Sequence, residues 1–409
     1  MRALLVAEDF PWPPTGGGLI RSAQLFEAVS RLGQADLFSL HDERRGELVV
    51  PEHVSISRTA TAVHPPAATG RRWRMQWLAH RGTPIEVLLR SGDPAPRQAF
   101  ESWAAEHYDV VWFSTPSVYA WLGRPRLGPT IVDLDNLEDV KTGQRLDVLR
   151  SDAPSEGRLG RLRSAVAGAQ AAKNARDWKV FQTSVADEVA RVVVCSAVDL
   201  RRSGLPNAVV VPNTYVRPAR SLGRTEVGDP PVVLFQGRLN YAPNTDGATW
   251  LAEAVGPLLR ARSPDARIRL VGKTTPVIDA LHRPPSVTVV GSVPAMDPEL
   301  AGADIAVVPL RIASGTRLKI LESFAHRIPV VSTTLGAEGL DVTDGVHLLL
   351  ADDADAFAAA CHRLLVDTAL RARMADAAED LYLRRYQWST AEGAVERLVH
   401  DVIGVSTAP

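Results

Sequence analysis

Short β-branched runs alternate with helical stripes along most of this chain. Residues 3–7 (ALLVA) are apolar throughout and predict a buried first strand. A Pro- and Gly-rich loop at 10–18 follows, then a helix over 19–32, with apolar positions at Leu19, Ala23, Leu25, Phe26, Val29 and Leu32. Further strands are expected at 35–39, 54–57, 110–114, 131–134, 192–195 and 209–211, with a long helical segment over 158–185. The polar stretch 218–231 carries Gly223, Gly228 and Pro230-Pro231 and reads as a linker. A second series of strands then begins, at 232–236, 268–271, 287–290, 305–309, 330–332 and 348–350. Its helices are expected over 248–262, 316–326 and 354–366, with two more within 369–403. Strands separated by helical patterns of about 10–15 residues mean βαβ units and parallel sheets. The expectation is therefore an α/β protein of two doubly wound, Rossmann-like domains facing across a cleft. The domains are 1–217 and 232–385, the linker is 218–231, and a last helical segment covers 386–409.

A length of 409 residues exceeds what one ordinary core holds, which agrees with two domains. Hydrophobic residues at 45% and charged residues at 23% are those of a globular protein. Lys+Arg 46 against Asp+Glu 47 gives a net charge of -1, so a nucleic-acid partner is not expected. Cys195 and Cys361 are far apart and flanked by apolar residues. They make neither a disulfide framework nor a zinc knuckle, and they read as buried small hydrophobes in a reducing compartment. The apolar N-terminal stretch turns acidic at Glu8-Asp9, too early for a signal peptide, and no window reaches the ~18 apolar residues of a membrane span. The expected location is the cytoplasm, with peripheral contact at the inner face of a membrane left open.

Several patterns fail on spacing. Gly272-Lys273-Thr274 resembles the end of a P-loop, but Arg267 stands where its first glycine belongs. Gly16-Gly17-Gly18 follows a strand, yet the dinucleotide pattern needs glycine at Arg21. Asp133-Leu134-Asp135 is an acidic pair at a strand end, a weak metal signal, and no metal is expected.

Three strand-to-helix junctions carry chemistry. In 306–322 (AVVPLRIASGTRLKILE) an apolar strand runs into Ser314-Gly315, and Thr316 is expected to cap a helix. Free N–H groups at such an end attract an anion. Arg317 and Lys319 place positive charge where the helix dipole disfavours it, which makes sense if phosphate sits there; the plainer reading is a solvated Lys319–Glu322 pair. In 232–244 (VVLFQGRLNYAPN) a buried strand ends at Gly237, and Arg238 lies at its carboxyl end, a fork-shaped donor suited to a diphosphate. The triple glycine within 10–18 leaves backbone room for a phosphate or sugar.

In order, the motifs are Phe235-x-Gly-x-Leu239 with Pro243-Asn244, Val271-Gly272, Val290-Gly-x-Val293, and Pro309-Leu310-x4-Gly315-Thr316-x2-Lys319-x2-Glu322. Pro329-Val330-Val331-Ser332-Thr333 and Gly336-Ala337-Glu338-Gly339-Leu340 complete the set. Together they resemble the group 1 retaining glycosyltransferases of GT-B architecture across the whole second half. The first half matches only at the Pro/Gly loop, 131–135 and 210–213. Tyr386-x-Trp388-Ser389 resembles the family's last helix, which crosses back to the first domain.

The resemblance implies a nucleotide-diphosphate sugar as donor substrate, bound mainly by the second domain. It also implies a carbohydrate, lipid-linked or small-molecule acceptor bound by the first, anomeric retention, and no metal or other cofactor. Carried over by position, Glu322 binds the ribose hydroxyls, Arg238 the diphosphate, and Gly315 and Thr316 a phosphate through their backbone N–H groups, with Gly237, Ser314 and Arg317 as further donor-binding candidates. Val293 lies beside the base, Gly17 approaches the diphosphate from the first domain, and Asp135 takes the place of a histidine near the reacting carbon. Arg238, Lys319 and Asp135 are thus the catalytic candidates. Two departures stand out: Ser314 replaces a glutamate, and Pro243 replaces a basic residue whose charge Lys319, Lys273 or Arg317 would supply. Seven of nine tryptophans precede the linker, and the basic segment 70–82, with Trp73, Trp77 and Leu78, reads as an interfacial helix or a solvated one. A sugar-nucleotide epimerase and a non-catalytic sugar-nucleotide-binding protein remain as alternatives.

Overall fold

A computed structural model describes residues 1–14, 16–41, 48–68, 71–151 and 158–404. Thr15 of the glycine-rich loop and Gly70 of the basic segment lie outside the described residues. The chain divides into a first unit, residues 1–212 with 391–409, and a second unit, residues 213–390. These divisions fall at 212/213 and 390/391, so the polar stretch 218–231 belongs to the second unit.

The first unit holds a parallel sheet of β1 (Arg2–Ala7), β2 (Gln34–His41), β3 (Arg58–Val63), β4 (Val110–Phe113), β5 (Thr130–Asp133), β6 (Arg191–Val194) and β7 (Ala208–Val210). Its order is β3-β2-β1-β4-β5-β6-β7. β1 and β4 are buried almost throughout, as strands covered on both faces must be. The strand expected at 54–57 is instead β3, which starts at Arg58. β3 lies at the sheet edge with alternating small and polar residues (RTATAV), so it lacks the apolar run that marks a central strand. Trp112, Trp121 and Trp178 fill the core. Helix Trp388–Val402 is tied here through Arg31 to Glu392 and through Arg191 to Asp401 at 2.8 Å.

The second unit holds β8 (Val232–Gln236), β9 (Arg267–Val271), β10 (Val287–Gly291), β11 (Ile305–Val308), β12 (Val330–Ser332) and β13 (Leu349–Leu350), parallel and in the order β10-β9-β8-β11-β12-β13. The helix expected over 248–262 starts earlier. It runs Ala242–Trp250, passes through a π turn at Leu251–Val255 and continues as Gly256–Arg262. Pro243 sits in its first turn, where a missing N–H costs nothing.

The basic segment forms helix Arg71–Ala79. Trp77 turns inward, donating its indole N–H to Asp177 at 3.1 Å, whereas Met75 and Leu78 are exposed. Cys195 and Cys361 are both buried, and neither is in a disulfide. Among the described residues no helix is long and apolar enough to cross a membrane.

Candidate active site

In the second sheet β8 and β11 are neighbours, and their carboxyl ends release two loops side by side. The first is Gly237-Arg238 and the second runs 309–317. Gly237 and Gly272, after β8 and β9, have φ of 143° and 135°, a region closed to most side chains. A Cβ on Gly272 would stand 1.8 Å from the Gly237 carbonyl oxygen, so the two turns meet backbone to backbone. A Cβ on Gly237 would stand 3.1 Å from both Lys319 Nζ and Asn244 Nδ2, so this glycine keeps the backbone open beside those groups.

The second loop is braced from behind. Arg311 clasps Asp246 with two bonds of 2.7 and 3.1 Å, and Thr333 donates its hydroxyl to the Leu310 carbonyl. The helix that follows is Leu318–Ala325, two residues shorter at its start than expected. Its N-cap is Arg317, without a side-chain capping bond, so Thr316 is not the cap. Thr316 stands one residue too early, and Arg317 folds back to the Ser314 carbonyl instead. The helix end therefore has no side chain occupying its cap position.

One turn inside that helix, Glu322 is gripped at both oxygens. Tyr215 donates to Oε1 at 3.0 Å, and Gln236, the last residue of β8, donates to Oε2. Tyr215 is itself held, its carbonyl accepting from the Tyr382 hydroxyl at 3.1 Å and its N–H bonding the Tyr386 carbonyl. Each carboxylate oxygen has two acceptor sites, so one on each remains after these bonds. Burial raises the proton affinity of Glu322, opposed by the Tyr215 bond and the Lys319 charge. Burial also pushes the Tyr215 phenol up, reinforced by Glu322, which keeps it a donor.

Lys319 does not pair with Glu322. Its ammonium donates to Asn244 Oδ1 at 3.0 Å and lies 4.3 Å from the centroid of the Phe235 ring. Burial, helped by the neighbouring Arg317 charge, lowers its pKa to about 7, against the pull of Glu322. The site thus concentrates Arg238, Arg317 and Lys319 on a glycine-lined backbone, with a two-point carboxylate beside them.

Gly237, Arg238, Ser314, Gly315, Thr316, Arg317, Lys319 and Glu322 all lie along these two junctions or on the helix that follows the second. Arg238 is exposed and stacks loosely on Tyr241, 6.0 Å from its ring centroid. Val293 follows β10, two strands from β8, and packs partly buried on the core. Gly17 and Asp135 belong to the first unit. Gly17 is the exposed first residue of helix Gly17–Ser30, and Asp135 follows β5. Asp133 is taken up by buried Arg21 at 2.7 and 3.1 Å, while Asp135 lies 3.8 Å from the same arginine. The acidic pair therefore shares one guanidinium. Gln236 and Tyr215 escaped notice in the sequence. A polar residue ending an otherwise apolar strand was a signal for Gln236, whereas nothing local marks Tyr215.

Among solved structures, sucrose-phosphate synthase from Thermosynechococcus elongatus is 18% identical, with a TM-score of 0.68 over 99% of this chain and 100% of that one. HepE from Anabaena, in complex with UDP and glucose, is 14% identical, with a TM-score of 0.63 over 98% and 100%. At such identities the likeness is one of fold, and the fold is that of the GT-B glycosyltransferases. An uncharacterized 44.6 kDa protein in the cps region of Klebsiella pneumoniae is 28% identical over 137 residues, 31% of this chain and 35% of that protein. The match therefore spans about a third of that relative. Residues 230–367 match the family model for glycosyl transferases group 1.

Proposed function

We propose that the chain transfers a sugar from a nucleoside-diphosphate sugar to a hydroxyl acceptor, with retention of configuration and without a metal ion. The observation that supports this most is the two-point carboxylate of Glu322 beside the Lys319–Asn244 pair at the ends of β8 and β11. The open acceptor positions on Glu322 suit the vicinal hydroxyls of a ribose. Arg238, Lys319 and the uncapped helix end supply positive potential for a diphosphate, with Gly237, Ser314, Gly315, Thr316 and Arg317 around it. Lys319 takes over the charge that Pro243 does not provide. UDP is the first nucleotide to test, because HepE was crystallised with it.

In the reaction, the bond from the anomeric carbon to the diphosphate oxygen breaks and its electron pair stays on phosphate. The acceptor hydroxyl oxygen bonds the same face of that carbon, and its proton passes to the departing phosphate. Fixed cations and N–H dipoles that stabilise this charge at low dielectric are worth ~10²–10³ in rate per donor. Val293 is assigned to the side of the base, and Gly17 and Asp135 to the acceptor-binding unit. Peripheral contact with lipid, if part of the activity, rests on Met75 and Leu78, since Trp77 belongs to the core.

Incubating the protein with UDP-glucose, with and without a panel of glycoside acceptors, and measuring UDP release tests this reading. Acceptor-dependent release is expected. Interconversion of the sugar nucleotide without acceptor, or binding without turnover, overturns it.

A further inference from the structure

The chain enters the second unit at Asn213 and leaves it at Thr390. The stretches nearest those two crossings are bonded to each other. The Tyr215 N–H donates to the Tyr386 carbonyl at 3.1 Å, its own carbonyl accepts from the Tyr382 hydroxyl at 3.1 Å, and an isolated parallel bridge pairs it with Gln387. Both backbone polar groups of Tyr215 are thus spent on the segment 382–387. That segment is anchored in turn: Tyr382 and Tyr386 are buried, and the Tyr386 hydroxyl accepts the Asp341 N–H at 2.7 Å.

The Tyr215 ring meets buried His326 edge-on, with 6.3 Å between ring centroids. The His326 carbonyl accepts from the Gly223 N–H at 2.7 Å and from the Ser221 hydroxyl at 2.6 Å. These bonds fasten the chain after Tyr215 to the end of the Leu318–Ala325 helix. Held at main chain and ring, Tyr215 has its hydroxyl aimed, and it reaches Glu322 Oε1 at 3.0 Å.

A glutamate side chain gives up rotamer freedom when it grips a ligand. Burial also favours its protonated form, which turns one oxygen from acceptor to donor. The Tyr215 and Gln236 bonds oppose both effects, because they fix the carboxylate plane and favour the charged form. The charges facing Glu322 are Lys319 on its own helix and Asp297 at the start of helix Asp297–Gly302.

We propose that Tyr215 is a positioning residue of the donor site: it aims Glu322 at the nucleotide and joins that carboxylate to the segment 382–387, so that nucleotide binding and the order of the two crossing stretches are coupled. This rests on Glu322 being the ribose carboxylate, as read above. Tyr215 acts through Glu322 alone. Coupling of this kind is reciprocal, so whatever loosens 382–387 also weakens the nucleotide.

The first readout is the ratio of affinities for UDP and 2′-deoxy-UDP, by titration calorimetry from pH 5 to 8. Ionisation of the phosphate and of Lys319 acts on both nucleotides and cancels in the ratio. The wild type should prefer UDP, and Tyr215→Phe should cut that preference about tenfold at pH 7. Without the Tyr215 bond, burial raises the proton affinity of Glu322 with less opposition, so the preference should fade at a higher pH than in the wild type. The second readout is amide hydrogen exchange. Saturating UDP should slow exchange in 213–216 and 384–387 of the wild type, and much less in Tyr215→Phe. Tyr382→Phe keeps the Tyr215 hydroxyl and removes only the bond to its carbonyl. It should retain the nucleotide preference with a reduced UDP effect on exchange, and it serves if the first variant does not fold. The same preference and pH dependence in Tyr215→Phe as in the wild type overturn the positioning role. Exchange that does not respond to UDP in the wild type, or responds equally in Tyr382→Phe, overturns the coupling. A wild type without preference for UDP overturns the ribose reading of Glu322, and the role of Tyr215 with it.

Discussion

Replacing Lys319 by methionine probes the electrostatics of the donor site most fully. In the unliganded protein the amine is half-buried, faces Arg317, Glu322, Asn244 and Phe235, and has its pKa lowered to about 7. A diphosphate placed beside it favours the ammonium, so binding should draw a proton onto Lys319 at neutral and higher pH. UDP affinity should then fall above pH 7, approaching tenfold per pH unit, within a window where the phosphate's own ionisation near 6 is already complete. Titration calorimetry from pH 7.5 to 9, in buffers of different ionisation enthalpy, reads both the slope and the proton taken up. Lys319→Met should flatten the profile and weaken binding at pH 7 about tenfold to a hundredfold.

The same amine carries a stability signature. Its folded proton affinity lies below that of the unfolded chain, near 10.4, so between about 7 and 10.4 the unfolded chain holds more protons. The stability of the wild type relative to Lys319→Met should therefore rise with pH across that window and be lost as pH falls through about 7. The drop from 10.5 to about 7 corresponds to roughly 3–5 kcal/mol held against the charged form, the lower figure allowing for water that reaches the amine. UDP affinity that is flat with pH in the wild type, or a slope retained in Lys319→Met, would refute this reasoning.

Three other outcomes are expected. Glu322→Ala should weaken UDP about tenfold to a hundredfold and abolish any preference for UDP over its 2′-deoxy form, which paired titrations of both nucleotides check. Gly272→Ala forces a Cβ to 1.8 Å from the Gly237 carbonyl at a positive φ, and thermal unfolding should show a large loss of stability with little soluble protein. Asp133→Asn removes the carboxylate that clasps buried Arg21 and leaves it the Asp135 carboxylate at 3.8 Å, so it should cost about 1–3 kcal/mol, or about 5 °C in melting temperature by calorimetry, with UDP binding unaffected.

Most strands were legible because central strands of a parallel sheet are apolar runs, as in VVLFQ of β8 and IAVV of β11. β3 was displaced because an edge strand needs no such run, and its RTATAV pattern looks like loop. The start of the Leu318–Ala325 helix was misread because Thr316 has the chemistry of a cap but not the position. At the site, Arg238, Lys319 and Glu322 were visible, since charge at strand–helix junctions is conspicuous against apolar surroundings. The grip on Glu322 was not. Tyr215 is 107 residues away in sequence, and only the folded chain brings its hydroxyl to the carboxylate.

A crystal structure of the protein soaked with UDP tests the central claim most directly. The account predicts one nucleotide at the carboxyl ends of β8 and β11, its ribose hydroxyls on the two oxygens of Glu322 and its diphosphate against Gly237, Gly315 and Lys319. A nucleotide lodged elsewhere, or none at millimolar concentration, would contradict it.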